Sequence, residues 1–398
     1  MGSARRVRHD GAVAGTRLVG IDLARLAAVA GMMAAHTVLW EEPAPGVVAL
    51  VDGPPSTLFA VLGGVSVVLA ARQRLAAGDR RGAIRSTLAR GAVVAVLGVL
   101  VAPLATAVFV VLVPFGVSIA LAGLLLALPS WALAALAAAL WAAGGSLAAI
   151  ARDRLPAALD DPQGPGDALL GAAVDVVLTG VYPVVTWLAY LLVGMLLARA
   201  LLEARARGRE RRALATVGAV GAALIAAAVG ASELGVRLVA EAVLEQPAEA
   251  MRDSILMNAY GAAQGTEPAW QLVAAPHSGT PTDMARTVGI GLVANALLGL
   301  LAASLPPRAL RALEPLRAAG AAPLTIYVVH VVLLSTLALA APEVSTGWGA
   351  WAAQLAVAIG IGAILAASRA RGPLERLVGA AATRAAGPRE PTAPARAE

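Results

Sequence analysis

The chain of 398 residues contains no cysteine and no lysine. The first absence excludes a disulfide-stapled module, thiolate metal sites and a cysteine nucleophile. The second excludes Schiff-base chemistry and lysine-held phosphates. Charge is scarce too: 14% of residues are charged, against about 25% in an ordinary soluble chain, which is too little to cover a soluble surface. Aromatic residues make up 4%, and no basic face interleaved with them exists to hold nucleic acid. Nucleic acid is therefore not expected as a partner, despite a formal charge of +6. What the chain has is apolar sequence, 59% of the total, in runs that approach the ~20 residues a helix needs to cross a bilayer. This is the composition of an all-α, polytopic membrane helix bundle, with membrane lipid as its first partner.

Ten candidate spans lie near residues 18–40, 54–71, 87–102, 105–128, 131–150, 181–200, 213–232, 284–304, 318–341 and 348–367. All 31 cationic residues are arginine, and they orient these spans. If the chain begins in the cytoplasm, 25 of them fall on inward segments, and only Arg152, Arg154, Arg237, Arg252 and Arg286 fall outward. Both termini are thus expected in the cytoplasm, and the protein is expected to be multi-pass in the cell inner (plasma) membrane. The first apolar run is longer than a signal core and contains Asp22 and Arg25, so it reads as a span rather than a cleaved leader. The expected organisation is a cytoplasmic arm (1–17), a ten-span domain (18–378) with one long exterior loop (233–283), and a Pro- and Ala-rich disordered tail (379–398). Residues 168–180 are too short to cross and predict an interfacial or re-entrant helix. The first half of the exterior loop places Val236, Val239 and Val243 on one face and Arg237, Glu241 and Glu245 on another, which predicts an amphipathic helix lying on the outer surface. No internal repeat is visible.

Polar side chains inside a membrane are costly, so each is a candidate site. Asp22 and Arg25, three apart near the inner end of span one, are either a structural ion pair or a substrate contact. His36, near the outer end of the same span, has the side chain best suited to proton transfer near neutral pH. His277 stands in Pro276-His277-Ser278-Gly279-Thr280-Pro281-Thr282-Asp283, just before span eight. Thr280 as N-cap, Pro281 at the first helical position and Asp283 three beyond the cap mark a helix start. That start accounts for every residue of the run except His277. His277 and His36 are the candidate catalytic residues, with free backbone N–H groups of the helix start available to a developing oxyanion. Both histidines lie near the exterior boundary, so a shared site requires spans one and eight to be neighbours. Ser278, Thr280, Tyr182, Trp187 and Tyr190 are candidate substrate contacts, the three aromatics being equally readable as an interfacial belt. His330 and Tyr327, deep in span nine, read as residues that support the catalytic groups from behind. No metal is expected, because the membrane histidines are far apart and none belongs to a ligand-spaced pair.

Six runs in fixed order, GIDLARLAAVAGMMAAH, LFAVLGGVSVVLA, TGVYPVVTWLAYLLVGM, APHSGTPTDMARTVGIGL, APLTIYVVHVV and RGPLE, resemble bacterial members of the heparan-alpha-glucosaminide N-acetyltransferase family and related membrane-domain proteins. Leu26 stands where the family's opening motif has glycine, a site of close helix approach. The resemblance implies a multi-span acyltransferase that takes an acyl group, typically acetyl, from cytoplasmic acetyl-CoA or another acyl-CoA. It implies delivery to a hydroxyl or amine of an exterior glycan or lipid-linked sugar. The polyanionic donor would need inner cations, for which Arg72, Arg74, Arg90, Arg317 and Arg376 are available. Pairing into a homodimer is left open. The rival reading is a transporter or flippase for an envelope precursor, with Asp22, Arg25 and His330 coupling substrate or protons; the missing repeat favours the enzyme.

Overall fold

The computed structural model describes residues 19–155 and 164–388, and every regular element among them is helical. The N-terminal arm with His9, the acidic pair Asp160 and Asp161, and the last ten residues lie outside the described residues. The helices are α1 (Val19–Thr37), α2 (Pro45–Val51), α3 (Pro54–Ala76), α4 (Arg80–Val101), α5 (Leu112–Leu124), α6 (Ser130–Arg154), α7 (Pro165–Val174), α8 (Val184–Ala206), α9 (Glu210–Leu238), α10 (Ala248–Ile255), α11 (Pro281–Ser304), α12 (Pro307–Ala312), α13 (Glu314–Gly320), α14 (Pro323–Ala340), α15 (Gly347–Ser368) and α16 (Pro373–Ala386). Proline begins α3, α11, α14 and α16, where its missing N–H costs nothing and its fixed φ suits the first turn.

Nine helical stretches among the described residues are long and apolar enough to cross a membrane, and ten were expected. The exception is the expected span 105–128. Only Leu112–Leu124 is helical there, because Pro103 sits in the 3₁₀ turn that ends α4, and residues 105–111 run irregularly toward α5. Irregular backbone at membrane depth is tolerated where it lines a cavity, and Ala107, Val108, Phe109 and Val111 do so.

The apolar stretches of α2–α3, α8 and α1 are 78%, 67% and 61% buried, against 17% for α9. The first three therefore form the centre of the bundle, and the others turn apolar side chains such as Leu234, Val229 and Ile364 outward, as a lipid-facing ring would. At the centre α3 and α8 cross through two glycines. A Cβ on Gly64 would lie 1.9 Å from the Leu191 carbonyl oxygen, and one on Gly194 would lie 1.8 Å from that of Val61. The close approach to α1 that Leu26 forfeits is made from the opposite helix, where Gly320 of α13 lies against the Asp22 carbonyl. The run RGPLE also finds a structural purpose. Glu375 accepts the backbone N–H groups of Leu324 and Thr325 at 2.8 and 3.0 Å, together with the Thr325 hydroxyl, and so caps α14 from a different helix.

Two expectations about the periphery change. The amphipathic segment after residue 233 is not a separate surface helix but the top of α9, which continues through a π turn at Val239–Val243. Nothing in the segment breaks a helix, and Val236, Val239 and Ala240 bury against Ile255, Trp270 and Val273 in a small core of their own. Arg237, Glu241 and Glu245 are exposed, as their spacing predicts. At the other end, α16 runs eight residues into the segment expected as a disordered tail. Val378, Ala382 and Ala386 bury their side chains, and Arg85 and Arg74 donate to the carbonyls of Ala386 and Gly387 at 3.1 and 3.2 Å. Residues 168–180 are largely helical as expected, in α7 and a π turn at Asp175–Thr179.

Candidate active site

At one end of the bundle the helix termini surround a cavity of about 320 Å³. His36 enters it from the end of α1, Asp52 from the link between α2 and α3, Tyr182 from the turn before α8, and Asn258 and His277 from the long loop before α11. Because α1 and α11 pack together, the two histidines expected to converge line the same cavity. Its mouth is rimmed by the exposed Trp40, Phe109 and Tyr260.

His277 has φ of +58°, a left-handed conformation uncommon outside glycine, although histidine is among the residues enriched there. The loop imposes it: the N–H of Gly261 donates to the His277 carbonyl at 2.7 Å, and that of Ala259 to the Pro276 carbonyl at 2.9 Å. Arg152 of α6 ties this loop to the turn before α8 by donating to the carbonyls of Ala259 and Tyr260 in the loop and of Thr179 and Gly180 in the turn. The result is an imidazole whose Nε2 lies 3.3 Å from Asp52 Oδ1, while Asn258 Nδ2 donates to the same oxygen at 3.1 Å. The Tyr182 ring meets the imidazole edge-on at 5.8 Å. Burial, with Tyr327, Asp52 and Tyr260 nearby, pushes the Tyr182 phenol up, so it remains a protonated donor. Next to His277 a pocket of about 20 Å³, lined by Thr57, Trp187, Tyr190 and Asp283 among others, has room for one water.

The helix start of α11 forms as its sequence predicts. The Thr280 hydroxyl accepts the Asp283 N–H at 3.1 Å and donates to the Val273 carbonyl at 2.7 Å, and the Asp283 carboxylate accepts the Gly279 N–H at 3.4 Å. Ser278 Oγ accepts the Thr280 N–H at 3.4 Å and shares a hydrogen bond with its hydroxyl. Ser278 and Thr280 are thus occupied in building the loop, and neither lines the cavity. Of the N–H groups expected for an oxyanion, Pro281 has none, those of Gly279, Thr280 and Asp283 are committed, and Thr282 lines neither the cavity nor the small pocket beside His277. Trp187 and Tyr190 lie deeper than Tyr182 and wall the small pocket rather than the cavity.

His36 belongs to a second arrangement. Its Nδ1 lies 2.9 Å from His330 Nε2, and His330 Nδ1 meets Gln354 Oε1. The two rings are coplanar within 2°, with centroids 5.2 Å apart, which at that nitrogen separation places them tip to tip in one plane rather than stacked. Tyr327 lines the cavity and accepts the Val111 N–H at 3.3 Å.

Asp22 and Arg25 lie toward the opposite end. Asp22 holds Arg25 at 2.7 Å and Arg317 at 3.3 Å, and Arg25 also donates to Ser66 at 2.9 Å. Arg25 lines a second cavity of about 180 Å³ with Ser66, Arg90, Glu375, Phe59 and Phe115. Phe59 packs 4.9 Å from Phe115 and 6.2 Å from Tyr327. A buried aromatic cluster is therefore touched by both cavities, with Phe59 and Phe115 on one side and Tyr327 on the other.

The family model described as heparan-alpha-glucosaminide N-acetyltransferase, catalytic, matches residues 17–234. The chain belongs to this family. No curated protein matches it. Membership makes the protein a member of a membrane acetyltransferase family. The segment matched to the N-acetyltransferase catalytic model carries Asp22, Arg25, His36, Asp52 and Tyr182, whereas Asn258, His277, His330 and Gln354 fall beyond it. Sequence reasoning missed Asp52, Asn258 and Gln354 as site residues. In the sequence Asp52 is one of several acids on segments expected to lie outside, and Asn258 gave no signal at all. Gln354, a lone amide in the apolar run WGAWAAQLAVAIG, carried the intramembrane polarity that had flagged the histidines.

Proposed function

We propose that the protein moves an acyl group, in the first instance acetyl, from coenzyme A at the inner end of the bundle to an amine or hydroxyl of a glycan or lipid-linked sugar at the outer cavity. The observation that carries this reading is the pair of cavities meeting at one aromatic cluster. A thioester brought to the cluster from the Arg25–Arg90 side would stand within reach of the two histidines on the other. Of the five arginines considered for the phosphates, Arg74 is paired with Asp79 and Arg317 with Glu314 and Asp22. Arg90 lines the inner cavity, with Arg371 within electrostatic reach.

In this scheme the acceptor nitrogen or oxygen attacks the thioester carbonyl carbon, and His277 takes the proton that the acceptor loses. Asp52 balances the imidazolium so formed. The Tyr182 O–H replaces the helix start as donor to the carbonyl oxygen while it carries negative charge. Collapse of the tetrahedral intermediate breaks the C–S bond, and the thiolate of coenzyme A receives the proton held by His277. Nothing is left over.

The test uses purified protein in lipid nanodiscs with acetyl-CoA and glucosamine, and reads the free thiol of released coenzyme A. The absence of cysteine makes that signal free of background from the protein. Thiol release above a protein-free control is expected, with Arg90→Gln raising KM for acetyl-CoA by about tenfold, as the loss of a charge-assisted phosphate contact should. A transporter would leave acetyl-CoA intact, and that result would end the acyltransferase reading.

The direction of transfer requires both termini in the cytoplasm of a cell whose inner membrane holds the protein. Single cysteines report this directly. Arg209→Cys, in the turn between α8 and α9, should react with an impermeant maleimide only after the inner face is opened, and Glu267→Cys, in the exterior loop, should react in intact cells. The reverse pattern inverts the topology.

A further inference from the structure

The chain His36–His330–Gln354 ties α1, α14 and α15 together and has no part in the proton transfers assigned above. His330 and Gln354 are each 2% exposed, and buried polar groups at membrane depth are retained at a cost. Packing does not explain the amide. Gln354 Nε2 is buried without a hydrogen-bond partner, and a methionine of similar length would fill the same space without burying that nitrogen.

The bonds have a direction. Gln354 Oε1 can only accept, so His330 Nδ1 carries the hydrogen. A neutral imidazole has one N–H, so His330 Nε2 is a lone pair, and His36 Nδ1 must donate to it. His36 Nε2 is then also a lone pair. It lies on the ring edge away from His330, and of the two rings only His36 lines the cavity.

We infer that Gln354 is a positioning residue: acting through His330, it holds His36 in the Nδ1–H tautomer, so that Nε2 meets the incoming acceptor as a hydrogen-bond acceptor. His36 in this form holds the attacking N–H or O–H group in place and donates nothing to the thioester oxygen, which leaves that task to Tyr182. The catalytic half of this inference rests on the proposed acyl transfer; the tautomer does not.

Two variants and two measurements test it. Gln354→Met keeps the shape and loses the acceptor, whereas Gln354→Glu keeps an oxygen facing His330 Nδ1. Nitrogen-15 spectra of histidine-labelled protein in nanodiscs are simple, because the chain has four histidines, and His36→Gln identifies the relevant resonance. Wild-type His36 should show protonated Nδ1 and unprotonated Nε2; Gln354→Glu should retain that pattern, and Gln354→Met should mix the tautomers. In the thiol-release assay, Gln354→Met should lower kcat about tenfold with KM for acetyl-CoA nearly unchanged, and Gln354→Glu should recover most of the loss. A merely structural amide gives the opposite order, since a buried carboxylate harms packing more than methionine does. A wild-type His36 protonated on Nε2, or a Glu variant poorer than the Met variant, overturns the inference even where turnover is normal. The expected tautomers with no thiol release would instead overturn the acyl transfer and leave Gln354 in control of His36.

Discussion

His277→Ala should lower acyl transfer by about 100-fold or more, the ordinary worth of a positioned general base, while acetyl-CoA binding and thermal stability stay close to those of the parent. The expectation rests on three features of the site. The ring is held in an uncommon backbone conformation by the Gly261 and Ala259 bonds rather than by its own side chain, so removing the imidazole leaves the loop's hydrogen bonds intact. Its Nε2 lies 3.3 Å from Asp52 Oδ1, so the carboxylate is placed to balance the positive ring that forms as the acceptor loses its proton. It does not line the cavity that would bind the body of the donor, so kcat should fall and KM for acetyl-CoA should not. Asp52→Asn should follow it, with a loss within about tenfold of that of His277→Ala, because the ring would remain but its charge would go unbalanced. His330→Ala should act differently, lowering the melting temperature as well as the rate, since His330 is bonded to both neighbours in the bundle interior. Thiol release at saturating glucosamine and acetyl-CoA titration separate these outcomes. Near-parental turnover in His277→Ala, with none in His36→Ala, would move the base to α1.

Gly194→Ala should be among the most destabilising single substitutions in the chain, by about 3 kcal/mol or more. The added methyl would be placed 1.8 Å from the Val61 carbonyl oxygen. The obstacle is backbone in the middle of α3, and it cannot swing aside as a side chain would. Relief requires α3 and α8 to separate, and these are two of the three most buried helices, so the loss of contact spreads through the centre of the bundle. A control of opposite sign is available in the same molecule. Gly360, within α15, has nothing within 4 Å of its missing Cβ, and Gly360→Ala should stabilise by roughly 0.5–1 kcal/mol, because glycine is a poor helix residue. Thermal unfolding of both variants in nanodiscs reads the pair. Equal melting temperatures would show that the crossing tolerates more space than its geometry allows.

Nine of the ten expected spans could be read from apolar run length, because that signal needs no knowledge of neighbours. The fourth failed for a reason run length cannot detect: residues 105–111 are apolar enough to be helix, but are spent on the cavity wall. The top of α9 was read correctly as amphipathic and placed wrongly, since periodicity says which face is buried and not against what. His36 and His277 stood out as rare titratable groups, and the Thr280 cap was legible because it is local. Asp52, 225 residues from its partner in sequence, and Gln354, bonded to a residue on another helix, depend on how α1, α3, α11, α14 and α15 assemble, and no local pattern encodes that.

If the two cavities open to opposite sides of the membrane, as the proposed transfer requires, the aromatic cluster of Phe59, Phe115 and Tyr327 carries an energetic consequence for the cell. Where cavities approach from both faces, the membrane potential falls mainly across the thin layer between them, and each elementary charge crossing it gains about 2.3 kcal/mol per 100 mV. A polar partition would let protons follow that gradient. An apolar one, built from two phenylalanines and a tyrosine whose hydroxyl already accepts the Val111 N–H, would resist wetting and, in the proposed topology, would keep the membrane electrically tight. In the proposed transfer the acetyl group leaves sulfur for the acceptor and the acceptor's proton returns on the thiol of coenzyme A, so no net charge crosses such a layer, and a protein working in this way would hand over carbon across an energised membrane without draining the gradient.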